Sequence, residues 1–188
     1  MSNKFTFHDV ESAPKKSKAL LKELLEQSGP NGFYSVLAES PEALLGYNAL
    51  NRAFSETTFT NEEKTVVWQT INVENQCRFC VPAHTKMAKM MNVKEEINNA
   101  LRNATKLDNT KLEALREFTL VLLRKKGHAS SKEIENFLEV GYTRQNILEI
   151  ILALAEKTIS NYVNHLAKPK LDPQYEKYAW GKDKSSEL

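Results

Sequence analysis

Helix-start and helix-stop signals recur along this chain at spacings that leave room for helices and little else. Ser40-Pro41, Thr60-Asn-Glu-Glu63, Ser130-Ser-Lys-Glu133 and Thr143 read as helix N-termini, while Gly29-Pro30-Asn31-Gly32, Asn92, Gly127, Gly141 and Pro169 read as stops. In the Thr60 and Ser130 segments the hydroxyl and the carboxylate three residues on can satisfy each other's free backbone N–H groups, the capping-box pattern. Ser40 suits an N-cap and Pro41 the first turn behind it. Between these signals apolar residues recur three and four apart, as along one face of a helix. Leu20, Leu21, Leu24 and Leu25 mark such a stripe over 15–27, Leu44, Leu45 and Tyr47 another over 41–54, and Val66, Val67, Trp68 and Ile71 a third over 61–75. Asp108 or Asn109 caps a helix carrying Leu112, Leu115, Phe118 and Leu122. The segment 144–166 is apolar nearly all round, at Ile147, Leu148, Ile150, Ile151, Leu152 and Leu154, which predicts a central helix. No run alternates as a strand does. The expectation is an all-α bundle of about seven to eight helices.

A chain of 188 residues is one domain, spanning 1–188. At this size folding buries roughly 70% of the unfolded surface, enough for a core without staples. Residues 1–13 lack a period and read as an N-terminal arm. The segment 170–188 reads as a polar C-terminal tail with Tyr175, Tyr178 and Trp180 scattered through it. A net charge of +2, with acids and bases interspersed, does not point to nucleic acid. The apolar runs fall far short of the ~20 residues that span a bilayer, and the first residues lack the apolar stretch of a secretory signal. The expected setting is cytoplasmic, with no membrane partner.

The chemistry concentrates in Glu74-Asn-Gln-Cys77-Arg-Phe-Cys80-Val-Pro-Ala-His84-Thr, which holds both cysteines of the chain. On a helix, positions 77, 80 and 84 would share one face. Pro82 belongs in a first turn, since deeper in a helix it would remove a hydrogen bond and clash. The helix is therefore expected to start near Phe79 or Cys80, with Cys77 at or just before its N-terminus. A helix N-terminus, a nearby cation and a second thiol at Cys-x-x-Cys spacing each lower a thiol pKa. That allows a redox cycle. Cys80 attacks a peroxide O–O bond and becomes a sulfenic acid; Cys77 condenses with it, releasing water and leaving a disulfide. His84, one turn on, can take and return the proton.

Other readings stand beside this one. Cys77 and Cys80 can be inert core thiols. They can be half of a zinc site, completed by His84 and one of His8, His128 or His165, although no second ligand pair is evident. Asn161, Asn164 and His165 put polar groups on a mostly apolar helix, which suits a satisfied hydrogen-bond network or a role lining the site.

The pattern Asn75-x-Cys77-x-x-Cys80-x-x-Ala83-His84-Thr85 resembles the core signature of the alkylhydroperoxidase D and carboxymuconolactone decarboxylase superfamily. The capped helix leading into it, and Gly141-Tyr-Thr through Asn161-Tyr-Val-Asn164-His165 to Leu171-Asp172, are similar to the peroxidase-related branch. The resemblance covers roughly 33–172. It implies an AhpD-like helical bundle assembled as a homo-oligomer (dimer, trimer or hexamer) and antioxidant thiol chemistry. It implies Cys80 as the peroxide-attacking residue, Cys77 as the resolving one and His84 as the proton relay. The substrate is then a small hydroperoxide, the reductant a dithiol or thioredoxin-like partner, and no further cofactor is called for. The sequence departs from the pattern at two places. Thr65 stands twelve residues before Cys77, where the best-studied members carry a relay glutamate; Glu62 and Glu74 lie nearby out of register. Phe79 stands between the cysteines, where some members have histidine. The decarboxylase branch does not use this pair, so the motif does not imply decarboxylation. Two competing expectations are a helical module whose cysteines bind zinc or act as a redox switch, and an enzyme of the same fold acting on a lactone or carbonyl compound.

Overall fold

The computed structural model describes residues 5–181; the ends of the expected arm and tail, 1–4 and 182–188, lie outside them. Nine α-helices and one 3-10 helix follow one another with no strand among the described residues: α1 Lys18–Ser28, α2 Gly32–Leu37, α3 Pro41–Ser55, α4 Asn61–Glu74, α5 Cys80–Met90, α6 Glu95–Arg102, α7 Thr110–Arg124, α8 Ser131–Glu139, α9 Arg144–Ala167 and the 3-10 helix Pro173–Tyr178. Setting aside the short α2, eight α-helices remain, in line with the sequence expectation.

The start signals act as read. Thr60 and Ser130 form complete capping boxes with Glu63 and Glu133. Ser40 caps α3 through the Ala43 N–H, and Asn109, not Asp108, caps α7 through that of Leu112. Asn92 takes the left-handed φ of 57° that ends α5, and the Val93 N–H closes back on the Ala88 carbonyl. Helix α1 starts at Lys18 rather than 15, with Ser17 at its N-terminus and the Ser17 hydroxyl donating to the Ala38 carbonyl (2.8 Å).

Helix α4 lies at the centre, packed against α5, α6, α7 and α9. One core, around Phe54, Trp68, Leu115, Phe118, Phe137 and Ile150, joins α4 to α7, α8 and α9. A second, around Leu21, Phe33, Leu44 and Tyr47 of α1–α3, closes over Cys77, Phe79 and Cys80. Burying side chains of this size contributes about 1.5–3 kcal/mol each, so the cysteine segment is held inside a well-filled core.

The described parts of the arm and the tail pack on the body. The His8 N–H bonds to the Ser35 carbonyl (3.0 Å) and Ala13 is buried. The 3-10 helix folds back onto α5, with Tyr175 buried edge-on to Phe79 at 5.8 Å. Arg102 of α6 ties that segment down by donating to the Tyr178 and Ala179 carbonyls (both 3.1 Å), and the Trp180 indole donates to the Arg102 carbonyl (2.8 Å).

Helix α9 is central, yet its buried face is largely polar. Asn146, Glu149, Glu156, Lys157, Ser160, Asn161 and Asn164 are buried alongside Ile150 and Ala153. Leu148, Ile151, Tyr162 and Leu166 face outward instead, each at least 46% exposed. Of the apolar residues that predicted a central helix, Ile150 lies in the core and Ile147, Leu152 and Leu154 pack against it, while polar side chains fill much of the rest of the buried face.

Candidate functional site

The site begins at the end of α4. Gln76 adopts φ 53°, and the Cys77 N–H returns to the Asn72 carbonyl (3.0 Å), which closes the helix and reverses the chain. The reversal places Cys77 just ahead of α5, whose first residue is Cys80 and third is Pro82, as the proline required. Buried Gln69 fixes α5 from below: its Nε2 donates to the Val81 carbonyl (3.2 Å), Thr85 Oγ1 (3.2 Å) and Asn98 Oδ1 (3.3 Å), linking α4, α5 and α6.

Cys77 and Cys80 are joined as a disulfide with Cα atoms 5.2 Å apart. The Cys80 N–H, one of the free donors of the α5 N-terminus, points to Cys77 Sγ (3.2 Å). Cys80 Sγ accepts from two side-chain amides of α9, Asn161 Nδ2 (3.1 Å) and Asn164 Nδ2 (3.2 Å). Asn161 is itself held, donating to Asn72 Oδ1 and accepting from Asn75 Nδ2, both at 2.9 Å. Asn164 Oδ1 is buried without a partner. The two asparagines thus form a network and line the site at once; the sequence had offered these as alternatives. In the reduced protein the same donors, with the positive end of the α5 dipole, favour a Cys80 thiolate.

His84 follows one turn on, buried, with its ring against Trp68 (5.1 Å between centroids). Its hydrogen bond runs from Nε2 to Lys157 Nζ at 2.8 Å, and among the described residues it makes none to either sulfur. Burial, reinforced by the Lys157 charge, holds His84 well below its ordinary pKa. Lys157 is 1% exposed and its Nζ lies 3.0 Å from Oε1 of Glu156, which is 0% exposed. Glu156 also accepts from the Trp68 indole (2.8 Å) and Asn51 Nδ2 (3.0 Å). Burial lowers the Lys157 pKa while Glu156 pulls it back up.

The carboxylate of this site therefore comes from α9. Thr65 spends its hydroxyl on the Asn61 carbonyl within α4 (2.9 Å). Glu74 pairs with Arg124 (2.7 Å), which holds its carboxyl below the usual range. Glu62 lines a separate depression with Lys94 and Lys106. Sequence reasoning missed Glu156 and Lys157, although 157, 161 and 164 fall on one helix face, a spacing that was available to read.

Two openings border the disulfide. A cleft of about 690 Å³ runs past Cys77, between Arg78 and Phe79 on one side and His165, Lys168 and Trp180 on the other. A smaller cavity of about 140 Å³ is bordered by Cys80, His84, Lys157 and Asn164, with Tyr34, Phe79 and Tyr175 as walls. Cys77 is 0% and Cys80 4% exposed, so both are buried in this state. Of the histidines considered for zinc, His8 bonds to Glu39 (2.8 Å), His128 is exposed, and His165, also exposed, lines the same cleft as Cys77. No cluster of three or more metal-ligating His, Cys, Asp or Glu side chains occurs among the described residues, and none of the described helices is long and apolar enough to cross a membrane.

No protein-family model and no curated protein matches the chain. Solved structures do match. An alkylhydroperoxidase AhpD core structure, an uncharacterised peroxidase-related protein from Ralstonia eutropha, superposes with a TM-score of 0.81 over 92% of this chain and 93% of its own, at 18% identity. An uncharacterised peroxidase-related protein from Silicibacter superposes with a TM-score of 0.73 over 90% of this chain and 93% of its own, at 17% identity. The fold is the all-α AhpD-like fold.

Proposed function

We propose that this chain is a thiol-dependent oxidoreductase that reduces small organic hydroperoxides. The observation that carries the reading is a Cys-x-x-Cys pair at disulfide distance whose second sulfur, at a helix N-terminus, receives two amide hydrogen bonds and borders a cavity. The AhpD-like fold is consistent with it. The Cys80 thiolate attacks the outer oxygen of the hydroperoxide, the O–O bond breaks, and the alkoxide leaves as an alcohol after taking a proton. Cys77 then attacks the sulfenic sulfur, forming the disulfide and releasing water. A dithiol or thioredoxin-like reductant returns two electrons and two protons. A cytoplasmic setting, with its thiol reductants, suits this cycle. His84, held neutral beside the cavity, takes part in the proton movements through its contact with Lys157. The outward apolar stripe of α9 supports a homo-oligomer.

The test counts thiols on reduced, metal-free protein before and after one equivalent of hydroperoxide. Loss of two thiols per chain, restored by a dithiol, is expected. Cys80→Ser should abolish peroxide consumption with the helical circular dichroism unchanged. Cys77→Ser should accumulate a sulfenic acid that dimedone traps on Cys80. Unreactive thiols in the wild type would retire the reading.

The burial of both sulfurs favours a second reading, a redox-sensing switch. It predicts disulfide formation with no multiple turnover under excess dithiol.

A further inference from the structure

The buried pair Glu156–Lys157 has no part in building the disulfide, and burying two charges is costly unless they are well partnered. Both are partnered, and Lys157 borders the space beside Cys80. An ammonium has three N–H donors. Glu156 Oε1 takes one at 3.0 Å and His84 Nε2 a second at 2.8 Å. The third has no hydrogen-bond acceptor among the described side chains and carbonyls, and Lys157 borders the 140 Å³ cavity that Cys80 also borders. That volume is close to the roughly 150 Å³ that accommodates benzene in an apolar protein cavity, and so to a compact alkyl or aryl hydroperoxide.

We propose that Lys157 is the catalytic proton donor to the departing alkoxide, with Glu156 and His84 as the groups that position it. The assignment rests on the hydroperoxide-reducing reading above. The Cys80 thiolate displaces RO⁻ from ROOH and becomes Cys80–SOH. The Lys157 ammonium gives its proton to RO⁻, leaving ROH and a neutral amine. Condensation of Cys77–SH with the sulfenic acid releases water without further change in proton count. The reductant dithiol then supplies two electrons and two protons, which restore Cys77–SH, the Cys80 thiolate and the Lys157 ammonium. Burial favours the neutral amine formed in this step, so the site that holds Lys157 also eases its deprotonation. The carboxylate on α9 keeps the resting cation in place.

A proton donor matters most for a poor leaving group. The experiment compares tert-butyl hydroperoxide, which must expel an alkoxide, with peracetic acid, which expels a carboxylate that needs no acid. Single-turnover loss of the two thiols is followed in pre-reduced wild type, Lys157→Met and the double variant Glu156→Gln/Lys157→Met, the last removing both buried charges so that no carboxylate is stranded. Loss of the donor should slow tert-butyl hydroperoxide by about 100-fold or more while peracetic acid changes by less than about threefold. That selectivity, in whichever variant retains the wild-type circular dichroism, supports the assignment. Equal slowing of both oxidants, or of neither, overturns it and leaves the hydroperoxide-reducing reading standing. Wild-type thiols inert to both oxidants overturn that reading and the assignment together.

Discussion

At the scale of single residues, the disulfide is asymmetric. Cys77 receives one backbone N–H and only a long contact from Asn164 Nδ2 (4.0 Å), whereas Cys80 receives two amides at 3.1 and 3.2 Å, so on reduction the negative charge is better held on Cys80. Asn164 is the cleaner probe of this, since its Oδ1 has no partner to lose, whereas Asn161 also bridges Asn72 and Asn75. Asn164→Leu in the Cys77→Ser background should raise the pH midpoint of Cys80 alkylation by about one unit, the worth of one hydrogen bond to a charged group; an unmoved midpoint would show that the amide only fills space. His84 gives a second prediction, in stability. Its folded pKa lies well below the unfolded value of about 6.5. The unfolded chain therefore binds the proton first, and the stability this group contributes is full above about pH 6.5 and lost as pH falls below it. The unfolding free energy from urea titrations should drop between pH 7 and pH 5 by up to about 1.4 kcal/mol per pH unit from this residue. In His84→Gln, which can still accept from Lys157, that slope should shrink; an identical slope would place the titration elsewhere.

At the scale of elements, what could be read from sequence was whatever local chemistry decides. Thr60, Ser130 and Thr143 start helices through their own side chains, Asn92 ends one through its own backbone, and Pro82 fixes where α5 begins. The Cys77–Cys80 pair was legible for the same reason, being three residues apart at a helix start. Contacts across the chain were not. His84 shares the expected face with Cys80, yet its partner is 73 positions away. The amides on Cys80 Sγ are 81 and 84 positions away. Helix α9 is central as its apolar residues predicted, with Ile147, Ile150, Leu152 and Leu154 against the core, but their pattern did not reveal its buried polar stripe. In the folded chain a polar stripe runs inward beside the apolar one, since α9 supplies Glu149 to Thr58, Glu156 to Trp68 and Asn161 and Asn164 to Cys80. A buried face that mixes the two, with Leu148, Ile151 and Tyr162 left outside, departs from the ordinary amphipathic pattern. The partners of the C-terminal segment were not legible for a related reason: its aromatic residues are too few to show a period, but each of Tyr175 and Trp180 has a specific partner.

At the scale of the whole molecule, the outer face of α9 is where the proposed homo-oligomer can be tested. Leu148, Ile151, Ala155, Thr158 and Tyr162 fall three and four apart on the outer face of α9, all exposed, with Leu166 at the same end as Tyr162. Their spacing is that of a helix–helix seam, and large exposed apolar patches on otherwise charged surfaces mark association sites. A second copy of the chain offers a matching stripe through a two-fold contact, in which each face meets its own equivalent. The stripe also ends beside the cleft, since Leu166 neighbours His165 and Lys168, which line it. Association would then wall the approach to Cys77 as well as cover the apolar residues. Light scattering should give a multiple of the 21.4 kDa chain mass for the wild type. The double variant Ile151→Glu/Tyr162→Glu, carrying two charges into the seam, should fall to a single chain with its helical circular dichroism intact. A monomeric wild type at micromolar concentration, or a variant that stays assembled, would move the subunit contact off α9. Because neither substituted side chain borders the Cys80 cavity, single-turnover oxidation of Cys80 should continue in the dissociated variant, while re-reduction of the disulfide should change if the partner walls the cleft.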